Sequence, residues 1–151
     1  MFESKAKKWC SKPFDIETQK AVSELFYSPK KLEEAFYKDI EFGTGGIRGL
    51  IGVGTNRINK YTLGRCAQGL SNYLNKNIKK SAIKTVIAFD SRLNSKKWAN
   101  QIAGIFSANG IYCYIFSDLR TTPELSFTVR YLNASCGIVI TASHNPAEYN
   151  G

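Results

Sequence analysis

Residues 85–145 read TVIAFDSRLNSKKWANQIAGIFSANGIYCYIFSDLRTTPELSFTVRYLNASCGIVITASHN. Three short apolar runs stand out: TVIAF (Thr85–Phe89), IYCYIF (Ile111–Phe116) and GIVIT (Gly137–Thr141). Between them lie two segments with helical spacing. In the first, Ser95 is the expected cap, Trp98, Ile102, Ile105 and Phe106 share a face, and Gly110 supplies a left-handed stop. In the second, Thr122 is the expected cap, Pro123 sits in the first turn, and Leu125, Val129 and Leu132 share a face. Continuous apolar strands alternating with amphipathic helices imply a mostly parallel sheet with helices on both faces, an α/β fold.

Right-handed crossovers bring the carboxyl ends of such strands to one edge of the sheet, where open α/β sheets bind ligands. Asp90-Ser91-Arg92, Ser117-Asp118 and Ser143-His144-Asn145 are therefore expected on one edge. The alternative for Ser143 and Asn145 is a polar turn ahead of Pro146, and the pattern alone does not separate the two.

Upstream, the chain reads as helical. Asp15 can cap a helix through ETQKAVSELF, and Ser28-Pro29 opens another whose Leu32, Ala35 and Phe36 are one buried face. EFGTGGIRGLIGVGTNR (41–57) is too rich in glycine for a helix and reads as an extended loop or loose hairpin from which Arg48 projects. Asn59 starts a long helix with Leu63, Cys66, Ala67, Leu70, Tyr73 and Leu74 on its apolar face.

At 151 residues, the chain is long enough for a core without disulfide or metal staples, and its 43% hydrophobic and 22% charged residues are those of a globular protein. No apolar stretch nears the roughly 20 residues of a membrane span. The start, MFESKAKKWCSK, lacks the apolar centre of an export signal. Cys10, Cys66, Cys113 and Cys136 are too dispersed for a zinc site and read as reduced thiols, which places the chain in the cytoplasm. The net charge of +9 comes in short lysine clusters, KAKK, PKK, NIKK and SKK, each near an expected helix end. With no nucleic-acid reader motif beside them, we weigh against a nucleic-acid surface.

The candidate chemistry centres on Ser143. A hydrolase-type serine needs a histidine base with a carboxylate behind it. His144, the sole histidine, follows directly, and on extended backbone the two side chains would point apart. A-S-H-N is not the G-x-S-x-G elbow either. Phosphoryl transfer asks instead for positioning and positive charge, and Arg48 in its glycine-rich loop is a fitting counter-charge. The aspartates Asp15, Asp39, Asp90 and Asp118 are scattered, so a metal site is incomplete within this chain.

TASHNPAEYNG (141–151) resembles the phosphoserine loop of the α-D-phosphohexomutases, the phosphoglucomutase and phosphomannomutase superfamily. EFGTGGIRG (Glu41–Gly49) resembles that family's amino-terminal glycine-arginine motif, and TNRINKYTLGRCAQGLSNYL resembles the helix that follows it. The GTGGIRG wording is most similar to the phosphoglucomutase and phosphopentomutase branch. The resemblance begins near Lys31 and implies domain I of the family over 41–151, preceded by a helical extension over 1–40. A complete mutase has four such domains, so the resemblance implies a fragment cut at the phosphoserine loop and inactive by itself.

The resemblance further implies that Ser143 carries a phosphoryl group and passes it to a sugar monophosphate. The resulting sugar bisphosphate, which is also the activator, returns its other phosphoryl group to Ser143. His144 would contact the transferring group, and Thr44, Gly45, Arg48 and Asn145 would line the phosphate pocket. A phosphoserine oxygen would be one Mg²⁺ ligand, with the others outside this chain. Asp90 and Arg92 also match a family position, and we read them as a structural ion pair. The expected partners are a sugar phosphate and the remaining mutase domains. Two competing readings are a catalytically silent basic domain binding anionic partners and a phosphatase using Ser143.

Overall fold

The computed structural model describes residues 2–79 and 82–151. The chain divides into two compact units, one ending at Thr62 and the other running from Leu63 to Asn150.

The first unit begins with three helices, α1 (Phe2–Trp9), α2 (Ile16–Leu25) and α3 (Pro29–Phe36). Asp15 caps α2 as expected, accepting from the Thr18 amide. Pro29 opens α3, although the Ser28 side chain makes no capping bond. Ala6, Trp9, Val22, Leu32, Ala35 and Phe36 form one buried cluster, with Phe14, Val53 and Tyr61 packed against it. Trp9 stacks on Phe14 at 4.4 Å between ring centroids, and Tyr61 meets both edge-on. Aromatic rings carry large apolar areas, which suits a core built on short helices.

The glycine-rich segment is a tight turn followed by a two-residue strand, β1 (Gly49–Leu50). Its outer part is fastened to α3 and the residues after it. Thr55 Oγ1 donates to the Lys38 carbonyl, Asn56 N to the Ala35 carbonyl, and Arg57 to the Glu34 carbonyl. Asn59 then caps α4 (Lys60–Asn77), its Oδ1 accepting from the Tyr61 and Thr62 amides at 3.0 Å.

In the second unit α4 buries Leu63, Ala67, Ser71 and Leu74. The expected Tyr73 is 61% exposed instead. Around the helix from Leu63, buried Leu74, Ala67 and Ser71 lie about 20°, 40° and 80° to one side, whereas Tyr73 lies about 80° to the other, and Ser71 is accommodated because its hydroxyl donates to the Ala67 carbonyl. Next come β2 (Lys84–Phe89), α5 (Ser95–Ala108), β3 (Tyr112–Ile115), α6 (Thr122–Tyr131), β4 (Cys136–Ile140) and the short β5 (Tyr149–Asn150). The first three of these strands form a parallel sheet in the order β3-β2-β4, with Val86 opposite Tyr114 on one side and Gly137 on the other.

Val86 and Ala88 pack against Leu125, Val129 and Leu132 of the α6 side. The alternate residues Ile87 and Phe89, also buried, therefore face the other way, toward Trp98, Ile102 and Phe106 of α5. Helices thus cover both faces, as the alternation required. Edge strand β3 leaves Tyr112 and Tyr114 exposed on the α6 face of the sheet, because α6 packs over β2 and β4. Two cap assignments shift by one residue. Asn94 (φ 67°), not Ser95, precedes α5, and Thr121, not Thr122, caps α6 in a reciprocal pair with Glu124. Ser95 is instead drawn inward to Asp90.

All four cysteines are free thiols, and burial pushes those of Cys66, Cys113 and Cys136 up. They act as small hydrophobes. Among the described residues, no helix is long and apolar enough to cross a membrane. Lys80, in the NIKK cluster, lies outside the described residues.

Candidate functional site

The strand order reverses around β2: the chain steps from β2 to β3 on one side, then returns to β4 on the other. In such sheets the crevice outside the carboxyl ends at the reversal is the ligand site. Here those ends are Phe89-Asp90 and Ile140-Thr141, and they are tied together. Asp90 N donates to the Ile140 carbonyl at 3.2 Å, and Thr141 Oγ1 donates to Asp90 Oδ2 at 2.6 Å.

Ser143 follows directly and is exposed. Its backbone is left-handed (φ 54°), one of three non-glycine residues so placed among those described. That conformation disfavours an L-residue, so it persists only where the surroundings impose it. They do. Ser143 N donates to Thr141 Oγ1 at 2.9 Å, and its carbonyl accepts from the Arg92 guanidinium at 2.8 Å. Arg92 also donates to the carbonyls of Asn145, Pro146 and Tyr149, and its Nε lies 3.5 Å from Asp90 Oδ2. The loop closes on Asn150, fully buried, whose Nδ2 donates to Ser95 Oγ and the Leu93 carbonyl.

The side chains of Ser143 and His144 do not point apart as expected. Ser143 is not on extended backbone, and its hydroxyl lies 3.5 Å from His144 Nδ1. The left-handed turn folds the two exposed side chains toward one side, at a separation long for a hydrogen bond. No carboxylate bond to His144 is present among the described residues, so the hydrolase arrangement is still incomplete. Asn145 is half-buried, its amide donating to the Ala142 carbonyl. The Asp90–Arg92 ion pair exists, but Arg92's bonds to the loop carbonyls were invisible in the sequence, because carbonyls carry no residue signature.

In the other unit, Gly43 and Gly46 exchange main-chain bonds, Gly43 N donating at 2.7 Å, with Thr44 and Gly45 at the tip. Thr44, Gly45 and Arg48 are all exposed. The backbone at the tip is open to close approach, since a Cβ at Gly45 would meet nothing within 4 Å.

A cleft of about 370 Å³ opens at the ends of β2 and β3, lined by Asp90, Arg92, Asn94, Lys96 and Asp118 among others. Ser143 is not in its lining, and Asp90 and Arg92 are already committed to the loop, so we take the serine loop as the site.

The family model for the phosphoglucomutase/phosphomannomutase α/β/α domain I matches residues 39–151. The chain belongs to this family. Among curated phosphoglucomutases, the one from Staphylococcus haemolyticus is 47% identical over 119 residues, covering 79% of this chain and 21% of that protein. One from Staphylococcus epidermidis is 40% identical over 139 residues, covering 91% of this chain and 25% of that protein. The chain thus spans about a fifth to a quarter of the length of these phosphoglucomutases. A crystal structure of a protein assigned as a phosphomannomutase from Thermus thermophilus superposes with a TM-score of 0.68 at 32% identity, over 76% of this chain and 25% of that one. The parallel sheet with helices on both faces is therefore the α/β/α layering of a phosphohexomutase domain I, an isomerase family.

Proposed function

We propose that this chain is the serine-bearing domain of a mutase that interconverts sugar 1-phosphate and sugar 6-phosphate, or the pentose 1- and 5-phosphates. Ser143 is its phosphoryl carrier. The observation that carries this reading is the presentation of Ser143: exposed, at the strand-order reversal, on a turn held at both its amide and its carbonyl. A loose phosphoryl transition state gains most from that kind of positioning.

In the forward half-reaction, a sugar hydroxyl oxygen bonds to the phosphorus on Ser143 Oγ as the Oγ–P bond breaks. The proton lost by the sugar hydroxyl is balanced by one taken up at Oγ. The bisphosphate then turns over and returns its other phosphoryl group by the reverse exchange, so no phosphate is released. His144, beside the hydroxyl, contacts the transferring group. Arg48, Thr44, Gly45 and Asn145 bind phosphate, with Arg48 matching its geometry in two-point fashion. The acting enzyme is the longer protein, and the domain alone is inactive.

Mg²⁺ belongs to this reading as a charge neutraliser on the phosphoserine. The chain's own residues do not build its site: among those described, no three His, Cys, Asp or Glu side chains converge. Both Asp90 oxygens are engaged, and Asp118 Oδ1 accepts from the Leu119 amide. A phosphoserine oxygen would supply one ligand and residues outside this chain the rest.

The test uses the full-length protein. Incubation with a hexose 1,6-bisphosphate should place phosphate on Ser143, mapped by mass spectrometry, and Ser143→Ala should abolish isomer formation. Label at another residue, or full activity in the variant, sinks the reading. Net phosphate release without isomerisation would show a phosphatase instead.

A further inference from the structure

We propose that Arg92 is the positioning residue of the serine loop, fixing where Ser143 Oγ stands at the sheet edge; this rests on the mutase reading above. A guanidinium has five N–H donors in a rigid plane. In Arg92 the two Nη nitrogens bond to four main-chain carbonyls, and Nε is ion-paired. Nη1 donates to the carbonyls of Pro146 (2.8 Å) and Tyr149 (3.0 Å), Nη2 to those of Ser143 (2.8 Å) and Asn145, and Nε faces Asp90 Oδ2 at 3.5 Å. The side chain is 15% exposed. With its Nη donors spent on the loop carbonyls and its Nε paired with Asp90, Arg92 is not placed to bind a substrate phosphate.

What it holds is a strained residue. The left-handed turn at Ser143 aims the hydroxyl outward, and such a turn survives only where neighbours over-determine it. The neighbours form a closed circuit. Asp90 Oδ1 accepts from Arg92 N and Ser95 Oγ, and Asp90 Oδ2 accepts from Thr141 Oγ1, which in turn accepts from Ser143 N. The Ser143 amide is thus set through Thr141 and Asp90, and its carbonyl through Arg92, which pairs with the same aspartate. One ion pair fixes both ends of the residue. Lysine at 92 would keep the charge but not the planar fork, and could reach only part of the four-carbonyl set.

A residue that merely stabilised the fold would change the amount of folded enzyme and leave its turnover alone. Positioning predicts a different signature. In the full-length protein, Arg92→Lys and Arg92→Ala should lower kcat about 10- to 100-fold, the loss expected when a reacting group is misplaced by about 1 Å. KM for the sugar phosphate should stay within about twofold, and phosphate should still map to Ser143. Millimolar guanidinium should restore part of the kcat of Arg92→Ala, by refilling the carbonyl fork. Wild-type kcat per folded molecule in both variants overturns the proposal. If Arg92→Ala does not fold, Arg92→Lys decides alone. Wild-type protein that acquires no label at Ser143 overturns the mutase reading itself, a result distinct from a labelled variant with unchanged turnover.

Discussion

In the serine loop, residues 141–150, four carbonyls converge on one guanidinium and the closing residue, Asn150, is fully buried. In the glycine-arginine loop, residues 43–48, the main chain is ordered by an exchange between Gly43 and Gly46, with open space around Gly45 and Gly46. The first is held from inside by side chains. The second is held from behind, by the residues that follow it: Thr55, Asn56 and Arg57 all bond to carbonyls at the end of α3 or just after it. On the proposed mutase reading, a carrier whose phosphorus is met in line needs a fixed hydroxyl, whereas a phosphate-binding tip gains from backbone that a ligand can approach closely. The contrast can be broken at three places.

The largest effect is expected at Gly54, where the holding from behind is tightest. Its φ is +124°, and a Cβ there would lie 2.4 Å from the Ala35 carbonyl oxygen and 2.9 Å from the Ala35 Cβ. Both partners are main chain or helix, so neither can swing aside. Gly54→Ala should cost roughly 3 kcal/mol or more, combining left-handed strain with overpacking. Chemical denaturation measures it. A loss below about 1 kcal/mol would mean that the segment yields, and that the glycine-arginine loop is not held from behind.

The same contrast explains what the sequence disclosed. The strand–helix alternation from Thr85 to Thr141 was legible because β2 is buried on both faces, so its apolar run is unbroken. The Ser143 loop was legible through its motif and its place after a strand. Hidden were the interactions that sequence patterns do not encode. Arg92 bonds to carbonyls, which every residue has. The left-handed turn at Ser143 is imposed by Thr141 and Arg92, not by a glycine. Ser95 and Thr122 missed being caps by one residue, because a serine or threonine beside a helix start can equally bond a carboxylate or yield the cap to its neighbour. Tyr73 was misplaced because helical spacing does not penalise a residue at the margin of the apolar face.

A smaller effect tests whether the helices behind the glycine loop act through charge. Asp15 accepts from the Tyr61 hydroxyl, from Lys60 at 2.8 Å and from Thr18, joining the start of α2 to the start of α4. The Lys60 bond first, then those of Tyr61 and Thr18, holds the Asp15 carboxyl far below the usual carboxylate range, and Lys60 is raised in return. A carboxylate whose folded pKa is depressed stabilises the fold above its unfolded pKa of about 3.9, and loses that contribution as pH falls toward the folded value. Asp15→Asn should therefore destabilise by about 1 kcal/mol at pH 7 and converge on the wild type as pH drops below about 4. A difference independent of pH between 7 and 3 would assign Asp15 a purely neutral capping role.

The smallest effect on stability, and the sharpest on the contrast, is expected at Gly45. No positive φ constrains it, and a Cβ would meet nothing within 4 Å. Gly45→Ala should shift the unfolding free energy by no more than about 0.5 kcal/mol. Gly46, at φ +134°, provides the control: Gly46→Ala should cost about 1–3 kcal/mol although its Cβ is equally unobstructed. If glycine at 45 is there so that a phosphate can approach the backbone, Gly45→Ala in the full-length protein should weaken sugar-phosphate binding, raising KM more than it lowers kcat. That split is the reverse of the one expected at Arg92, where turnover falls and KM holds. Two loops failing in opposite kinetic parameters would show that one aims the reacting group and the other receives its substrate. Equal losses in both parameters at both sites would leave no division of labour between them.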